Sequence, residues 1–165
     1  ANIHERMIKE NIVEKSVIVT QCNKLQNYNN FENDSKISKK LFQIAKMKNS
    51  NIELLDELFD PYKLINIYGA SRYVFSIRLH STIFSLVAGT PSITFSYFGN
   101  KSKGIMKMLS MENYLLNVDD FDEYDFWKKI QEIEANYKTI QEKINLKAKR
   151  LNTESKLSMN SIFNI

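Results

Sequence analysis

The residues best suited to chemistry are an arginine and a histidine two positions apart, Arg78 and His80. The guanidinium is a flat fork of donors that fits a carboxylate or a phosphate, and an imidazole can donate a proton near neutral pH. Lys101 adds another positive charge further along the chain. Ser81 either binds an anion or caps a helix. Together, these residue types indicate an anion site with a proton donor beside it.

Two strands and a helix must position these side chains. The bulky, β-branched run Tyr73–Ile77 predicts a buried strand. A helix is predicted from about Ser81 to Gly89, and a second strand over Ser92–Tyr97. Ligands of parallel α/β sheets bind at the carboxyl ends of the strands. The loops after both strands therefore lie where a ligand would bind, and Tyr97 is either a core residue or a site residue.

The run R-L-H-S-T-I-F-S-L-V-A-G-T-P-S-I, followed by Tyr97 and Lys101, resembles the C-terminal half of the polysaccharide pyruvyl transferase family. Members of that family have R-x-H after a buried strand, a helix ending in G-x-P, a strand ending in Tyr, and then a Lys. The close similarity covers residues 76–104, and a weaker similarity in element order covers residues 17–118. The fold implied is α/β, a Rossmann-like parallel sheet flanked by helices, as in the C-terminal half of a GT-B-type two-domain enzyme.

The resemblance also implies an activity and partners. The family transfers a pyruvyl group from phosphoenolpyruvate to a sugar hydroxyl of a bacterial cell-surface glycan, forming a ketal. Carried over, Arg78 and Lys101 would hold the carboxylate and phosphate of phosphoenolpyruvate, and His80 would be the general acid. The implied partners are phosphoenolpyruvate and a saccharide or lipid-linked saccharide acceptor, with no metal and no cofactor. The family's enzymes are longer, so an N-terminal domain that grips the acceptor is expected to be missing.

Two other functions remain open. The same loops would bind a diphosphate in half of a sugar-nucleotide-dependent glycosyltransferase. Alternatively, the chain is a non-catalytic fragment or interaction module that pairs with a partner through its C-terminal helix.

The composition excludes several classes. The net charge of +4 arises from 23 basic and 19 acidic residues that are interspersed, which does not favour a nucleic-acid-binding face. A single cysteine allows no internal disulfide. No apolar run approaches the ~20 residues of a transmembrane helix. The predicted location is the cytoplasm or the inner face of the membrane.

Residues 1–15 are predicted to form an N-terminal helix or linker, and residues 16–121 a Rossmann-like donor-binding domain. A short strand ends at Thr20, so Gln21 and Asn23 would lie at its carboxyl edge and are candidates for substrate binding. They begin a polar loop, residues 21–33, that is either functional or mobile. A helix is predicted from about residue 34 to residue 48, with Leu41 and Ile44 turned inward.

Acidic residues close the next strand. Asp56 and Glu57 are either site acids or turn and cap residues. Residues 122–165 form a C-terminal helical segment in which apolar residues recur at intervals of four and three, from Phe126 to Ile144. This pattern predicts one long helix. It either lies across the sheet domain or forms a coiled-coil homodimer.

Overall fold

The fold is given by a computed structural model that describes residues 2–21, 34–48, 51–97 and 101–163. The chain forms two compact units, unit 1 (Ala1–Asp60) and unit 2 (Pro61–Ile165). Each unit contains parallel strands flanked by helices. The predicted α/β class is therefore confirmed, with the strands divided between two sheets.

Unit 1 contains helix α1 (Asn2–Lys9), strand β1 (Ser16–Val19), helix α2 (Asp34–Met47) and strand β2 (Ile52–Leu55). The two strands pair in parallel, with Ser16 opposite Ile52 and Val19 opposite Leu55. A parallel pair needs a crossover connection, and α2 supplies it. Consequently the carboxyl ends of both strands lie at one edge of this small sheet.

Helix α2 packs with a different face from the one predicted. Its buried residues are Ser38 and Ala45, whereas Leu41 is 44% exposed and Ile44 is 39% exposed. The small side chains let the helix backbone approach the strands closely, so they define the contact face. The prediction that Leu41 and Ile44 point inward is wrong.

Unit 2 begins with helix α3 (Pro61–Gly69), strand β3 (Val74–Ser76), helix α4 (Leu79–Val87), strand β4 (Ser92–Ser96) and helix α5 (Lys101–Met108). A short 3-10 helix (Glu112–Tyr114), strand β5 (Leu115–Asn117), helix α6 (Glu123–Ala135) and helix α7 (Tyr137–Phe163) complete it. The three strands are parallel in the order β3-β4-β5. This alternation of strand and helix is the predicted one.

Buried hydroxyl groups connect β3, α4 and β4. The Ser76 hydroxyl lies 2.6 Å from that of Thr82, which lies 3.0 Å from that of Thr94. The Thr94 hydroxyl also donates to the sulfur of Met106 on α5, at 3.7 Å. Because buried hydroxyls are costly unless hydrogen-bonded, this network fixes one orientation of α4 on the strands.

The C-terminal segment is two helices instead of one. The chain leaves the helical path at Asn136, whose side-chain amide donates to the carbonyl oxygen of Glu132 at 3.0 Å. The apolar stripe is nevertheless buried inside unit 2, with Ile130, Ile133 and Ile144 fully inaccessible. This burial agrees with a helix that lies against the sheet domain, and it leaves those side chains no surface for a coiled-coil dimer.

Arg72 holds the junction between α6 and α7 to the start of β3. Its guanidinium makes two hydrogen bonds to the Glu134 carboxylate, at 2.8 and 2.7 Å, and lies over the Tyr137 ring, 4.6 Å from its centroid. The Tyr137 hydroxyl donates to the Arg72 carbonyl oxygen at 3.0 Å. Arg72 is therefore a structural arginine, at the opposite end of β3 from Arg78.

Candidate functional site

The carboxyl ends of β3, β4 and β5 lie at one edge of the sheet in unit 2. Ser76, the last residue of β3, is opposite Thr94, and Ser96, the last residue of β4, is opposite Asn117 at the end of β5. The Val118 amide continues the ladder by donating to the Ser96 carbonyl oxygen at 2.9 Å. Neighbouring strands lie about 4.8 Å apart, so side chains in the loops that follow them are within reach of a single small ligand.

Arg78 is the N-cap residue of α4. Its backbone is extended, with φ −86° and ψ 130°, and its side chain makes no capping hydrogen bond. The first N–H groups of a helix have no intrahelical partner and carry the positive end of its dipole. Arg78, a half-buried residue, thus lies at a helix terminus that already favours anions.

His80 lies in the first turn of α4, since the helix begins at Leu79 and not at about Ser81 as predicted. Its side chain is exposed, with the ring 6.2 Å from that of Phe84 one turn later. The Arg78-x-His80 spacing therefore places one residue at the cap and the other within the first turn. Both side chains belong to the same helix start.

Ser81 does not cap this helix. Its side chain is only 7% exposed, and its hydroxyl accepts a hydrogen bond from the Tyr68 hydroxyl at 3.4 Å. The next residue, Thr82, is fully buried and joins the hydroxyl network. The hydroxyls that suggested a helix cap instead hold α4 to its neighbours.

Tyr97 and Lys101 flank the loop after β4. Tyr97 directly follows the strand and is 55% exposed, so it is not a core residue. Lys101 is exposed and is the first residue of α5. Neither α4 nor α5 has an acidic residue in its first turn. The positive ends of both helices therefore face this edge together with the positive side chains.

Gln21 is not in the same unit as the other candidates. Gln21 follows β1 at the carboxyl end of the unit 1 sheet, and Asn23 lies outside the described residues. Arg78, His80, Tyr97 and Lys101 all belong to unit 2. The structure thus groups four of the predicted site residues at one edge and leaves the role of Gln21 a prediction.

Asp56 contacts residues in the first two turns of α2. It follows β2 and accepts hydrogen bonds from the Ser35 hydroxyl and the Lys39 ammonium group, each at 2.7 Å. Those contacts, with the lysine contributing most, lower the pKa of the Asp56 carboxyl. These contacts give Asp56 a structural role, in which it holds the first turns of α2 to the end of β2.

A polar turn after β5 shares the edge with Arg78 and was not among the predicted site residues. The Asn117 amide donates to the Asp120 carboxylate at 2.7 Å, and the Asp119 amide N–H donates to the Asn117 side-chain oxygen at 3.3 Å. A groove of about 490 Å³ between this turn and α6 includes Phe121 and Lys128 in its walls. The run N-V-D-D after an apolar strand was the available signal, but it also fits an ordinary turn.

The described part of the chain contains no helix long and apolar enough to cross a membrane. It also contains no group of three or more His, Cys, Asp and Glu side chains that could hold a metal ion.

The chain is similar to a protein of exopolysaccharide synthesis. An amylovoran biosynthesis protein, AmsJ of Erwinia amylovora, is 24% identical over 128 residues. That alignment covers 78% of this chain but 30% of AmsJ, so the chain spans about a third of that relative's length. No solved structure matches the chain.

The family profile of the polysaccharide pyruvyl transferases matches residues 6–100, which is more than half of the chain. The match includes Arg78, His80 and Tyr97, and it ends one residue before Lys101. It also crosses from unit 1 into unit 2, so it is not limited to one short motif. The chain belongs to the polysaccharide pyruvyl transferase family.

Proposed function

We propose that this chain binds phosphoenolpyruvate at the carboxyl edge of β3 and β4, as the donor half of a pyruvyl transferase that modifies a saccharide hydroxyl. The observation that carries the proposal is the placement of Arg78 and Lys101 at the starts of α4 and α5, which follow neighbouring parallel strands. Family membership supplies the reaction class, and this placement supplies a site for its anionic donor.

The electrostatics of the edge suit a ligand with two anionic groups. Phosphoenolpyruvate carries a carboxylate and a phosphate attached to the same carbon. Arg78 provides a bidentate fork for one of them, and Lys101 provides a point charge for the other. Two helix N-termini without first-turn acids add partial positive charge. The edge would therefore attract a small dianion or trianion more strongly than a neutral sugar.

In the proposed reaction, His80 is the general acid. It donates a proton to the methylene carbon of phosphoenolpyruvate, which makes the neighbouring carbon electrophilic. A sugar hydroxyl attacks that carbon, forms the new C–O bond and gives its proton back to the His80 imidazole. A second hydroxyl of the same sugar then forms the second C–O bond and displaces phosphate, which leaves with the electrons of its C–O bond and takes up the proton of that hydroxyl, and the cyclic ketal results. The exposed position of His80 beside Arg78 suits such a proton transfer.

The acceptor is proposed to be a saccharide of an extracellular or capsular polysaccharide. The family name and the similarity to an amylovoran biosynthesis protein support this class. Since the chain spans about a third of that relative's length, the residues that bind the acceptor are proposed to lie mainly in another domain.

Titration calorimetry with phosphoenolpyruvate and the 165-residue chain tests the donor site. We expect binding to the unaltered chain and a loss of roughly ten- to hundredfold in affinity for Arg78→Ala, the cost of removing charged hydrogen bonds. Arg78→Lys keeps the positive charge but loses the bidentate guanidinium, so its affinity should lie between those of the unaltered chain and Arg78→Ala. His80→Gln should weaken binding less than Arg78→Ala does.

Arg150→Ala is the matched control for the loss of one arginine. Arg150 pairs with Glu154 on the exposed surface of α7, so its removal should leave phosphoenolpyruvate affinity unchanged. The proposal fails if the folded, unaltered chain does not bind phosphoenolpyruvate. It also fails if uridine or guanosine diphosphate binds more tightly, since that result would indicate a sugar-nucleotide enzyme.

A further inference from the structure

Helix α2 carries an apolar stripe that nothing in the described part of the chain covers. Ile37 is 72% exposed, Leu41 44%, Ile44 39% and Met47 80%. These residues are spaced four, three and three apart, so they lie along one side of the helix. The stripe extends over about 15 Å of helix. The buried side of α2 is a different one, marked by Ser38 and Ala45.

The same helix concentrates positive charge. Helix α2 contains four lysines and one aspartate, and Lys48 directly follows it, so residues 34–48 carry a net charge of +4. Lys39 is paired with Asp56 and Lys48 with Glu5. Lys36 and Lys40 are exposed, and neither pairs with a carboxylate within the segments that the structure describes. On the helix they border the apolar stripe.

Three kinds of partner could cover such a face, and its charge distinguishes them. A second copy of α2 would bring Lys36 and Lys40 close to their equivalents, which is repulsive. A partner protein with a purely apolar surface would cover the stripe but would offer no negative charge to the lysines. An anionic lipid surface satisfies both features, because apolar side chains insert below the headgroups while lysines extend to the phosphates.

We propose that α2 is an in-plane membrane-binding helix that attaches unit 1 to an anionic lipid surface through Ile37, Leu41, Ile44 and Met47, with Lys36 and Lys40 at the headgroups. The helix has only 14 residues and lies on the surface without spanning the bilayer. This inference does not depend on the proposed donor site, which lies in unit 2. It would place the chain at the surface where lipid-linked glycans are found.

Co-sedimentation with vesicles tests the proposal. The 165-residue chain is mixed with vesicles of phosphatidylcholine alone and with vesicles of phosphatidylcholine and phosphatidylglycerol in equal amounts. We expect binding to the anionic vesicles only, and weaker binding as salt increases. Each of Lys36→Gln and Lys40→Gln should lower the partition coefficient about fivefold. Ile37→Ser combined with Leu41→Ser should lower it at least as much at every salt concentration.

Control variants on α7 separate a specific face from general charge. Lys147→Gln and Lys149→Gln, made singly, each remove the same charge as one α2 variant, and Leu157→Ser removes a side chain that is 63% exposed. These variants should keep the binding of the unaltered chain. Because every substituted residue on α2 is at the surface, the circular dichroism spectrum should not change, and loss of binding then reports the surface alone.

Three results would overturn the proposal. The first is no sedimentation with anionic vesicles. The second is an equal loss of binding in the α7 controls, which would indicate attraction of the whole chain without a defined face. The third is that the chain does not bind vesicles but is a dimer by light scattering, and that Ile37→Ser combined with Leu41→Ser dissociates this dimer. The stripe would then be an interface between two copies of the chain.

Discussion

At the scale of single residues, the site depends on hydroxyl groups that never reach solvent. Ser76, Thr82 and Thr94 are each at most 2% exposed and are hydrogen-bonded to one another. They join the end of β3, the first turn of α4 and the middle of β4. Arg78 and His80 lie between the first two of these residues in the chain. The network therefore holds in place the backbone segment that carries the arginine and the histidine.

Replacing Thr82 with valine tests the network, because the two side chains have the same shape. The variant removes the two hydrogen bonds that Thr82 makes with Ser76 and Thr94. At about 0.5–1.5 kcal/mol for each bond, the free energy of unfolding should fall by about 1–3 kcal/mol. Urea denaturation followed by circular dichroism measures this loss. Thr153→Val, at an exposed hydroxyl that donates to the Lys149 carbonyl oxygen, should change stability by less than about 0.5 kcal/mol. If both variants lose the same free energy of unfolding, the buried hydroxyl network contributes no more to stability than an exposed hydroxyl does.

The sequence indicates candidate site residues but not the contacts that support them. Residue type, spacing and the family resemblance together select Arg78 and His80, and their role in catalysis stays a prediction. The burial of Ser81 depends on Tyr68, thirteen positions earlier. Contacts between residues so far apart depend on how elements pack, and no local pattern encodes them. The serine was therefore expected at a cap and is found in the interior.

At the scale of elements, Gly89 forms the turn that ends α4. This residue has φ +77°, in the left-handed region that favours glycine, and a Cβ there would lie 2.3 Å from the Asn145 side-chain oxygen on α7. The turn between α4 and β4 thus needs a glycine for its conformation and for its packing. Both requirements are at the opposite end of α4 from Arg78.

Gly89→Ala should lower the free energy of unfolding by about 1–3 kcal/mol, since an L-residue is strained at this φ and crowds Asn145. Thermal or urea denaturation measures the change. Gly104→Ala is the matched control, because a Cβ at this exposed position inside α5 would meet no atom within 4 Å. That variant should gain about 0.5–1 kcal/mol from helix propensity. A neutral Gly89→Ala would show that the turn relaxes freely.

Element order was predictable, and the rotation of elements was not. Strands alternating with helices follow from short β-branched runs and from glycine and proline positions, and the structure contains them in the predicted order. Which side of α2 is buried depends on the strands beneath it, so Leu41 and Ile44 were assigned to the wrong side. The break at Asn136 likewise interrupts an apolar spacing that continues unchanged through it. Periodic apolar spacing therefore predicts which side chains share a face, but it does not predict whether one helix or two successive helices carry them.

At the scale of the whole molecule, two units differ in how they should respond to acid. Unit 1 contains His4, whose ring nitrogens are buried and have no hydrogen-bond partner within the described ranges. Burial lowers the pKa of His4 below 6.5, and the nearby Glu5 only partly opposes this shift. Unit 2 contains Trp127, the single tryptophan, which is 4% exposed. Its fluorescence therefore reports unit 2, whereas circular dichroism reports the helices of both units.

Unit 1 should lose stability as the pH falls from 7.5 to 5.5. A histidine whose pKa is lower in the folded state than in the unfolded state binds protons more readily when unfolded, so protonation below pH 6.5 favours unfolding. Asp56 does not contribute in this range, because its pKa lies below 3.8. Urea midpoints from circular dichroism should decrease over this range, while the midpoint from Trp127 fluorescence shifts less. His4→Gln should remove most of the decrease. If the variant keeps the full decrease, the acid sensitivity has another origin, and the buried histidine is not what links the stability of unit 1 to pH.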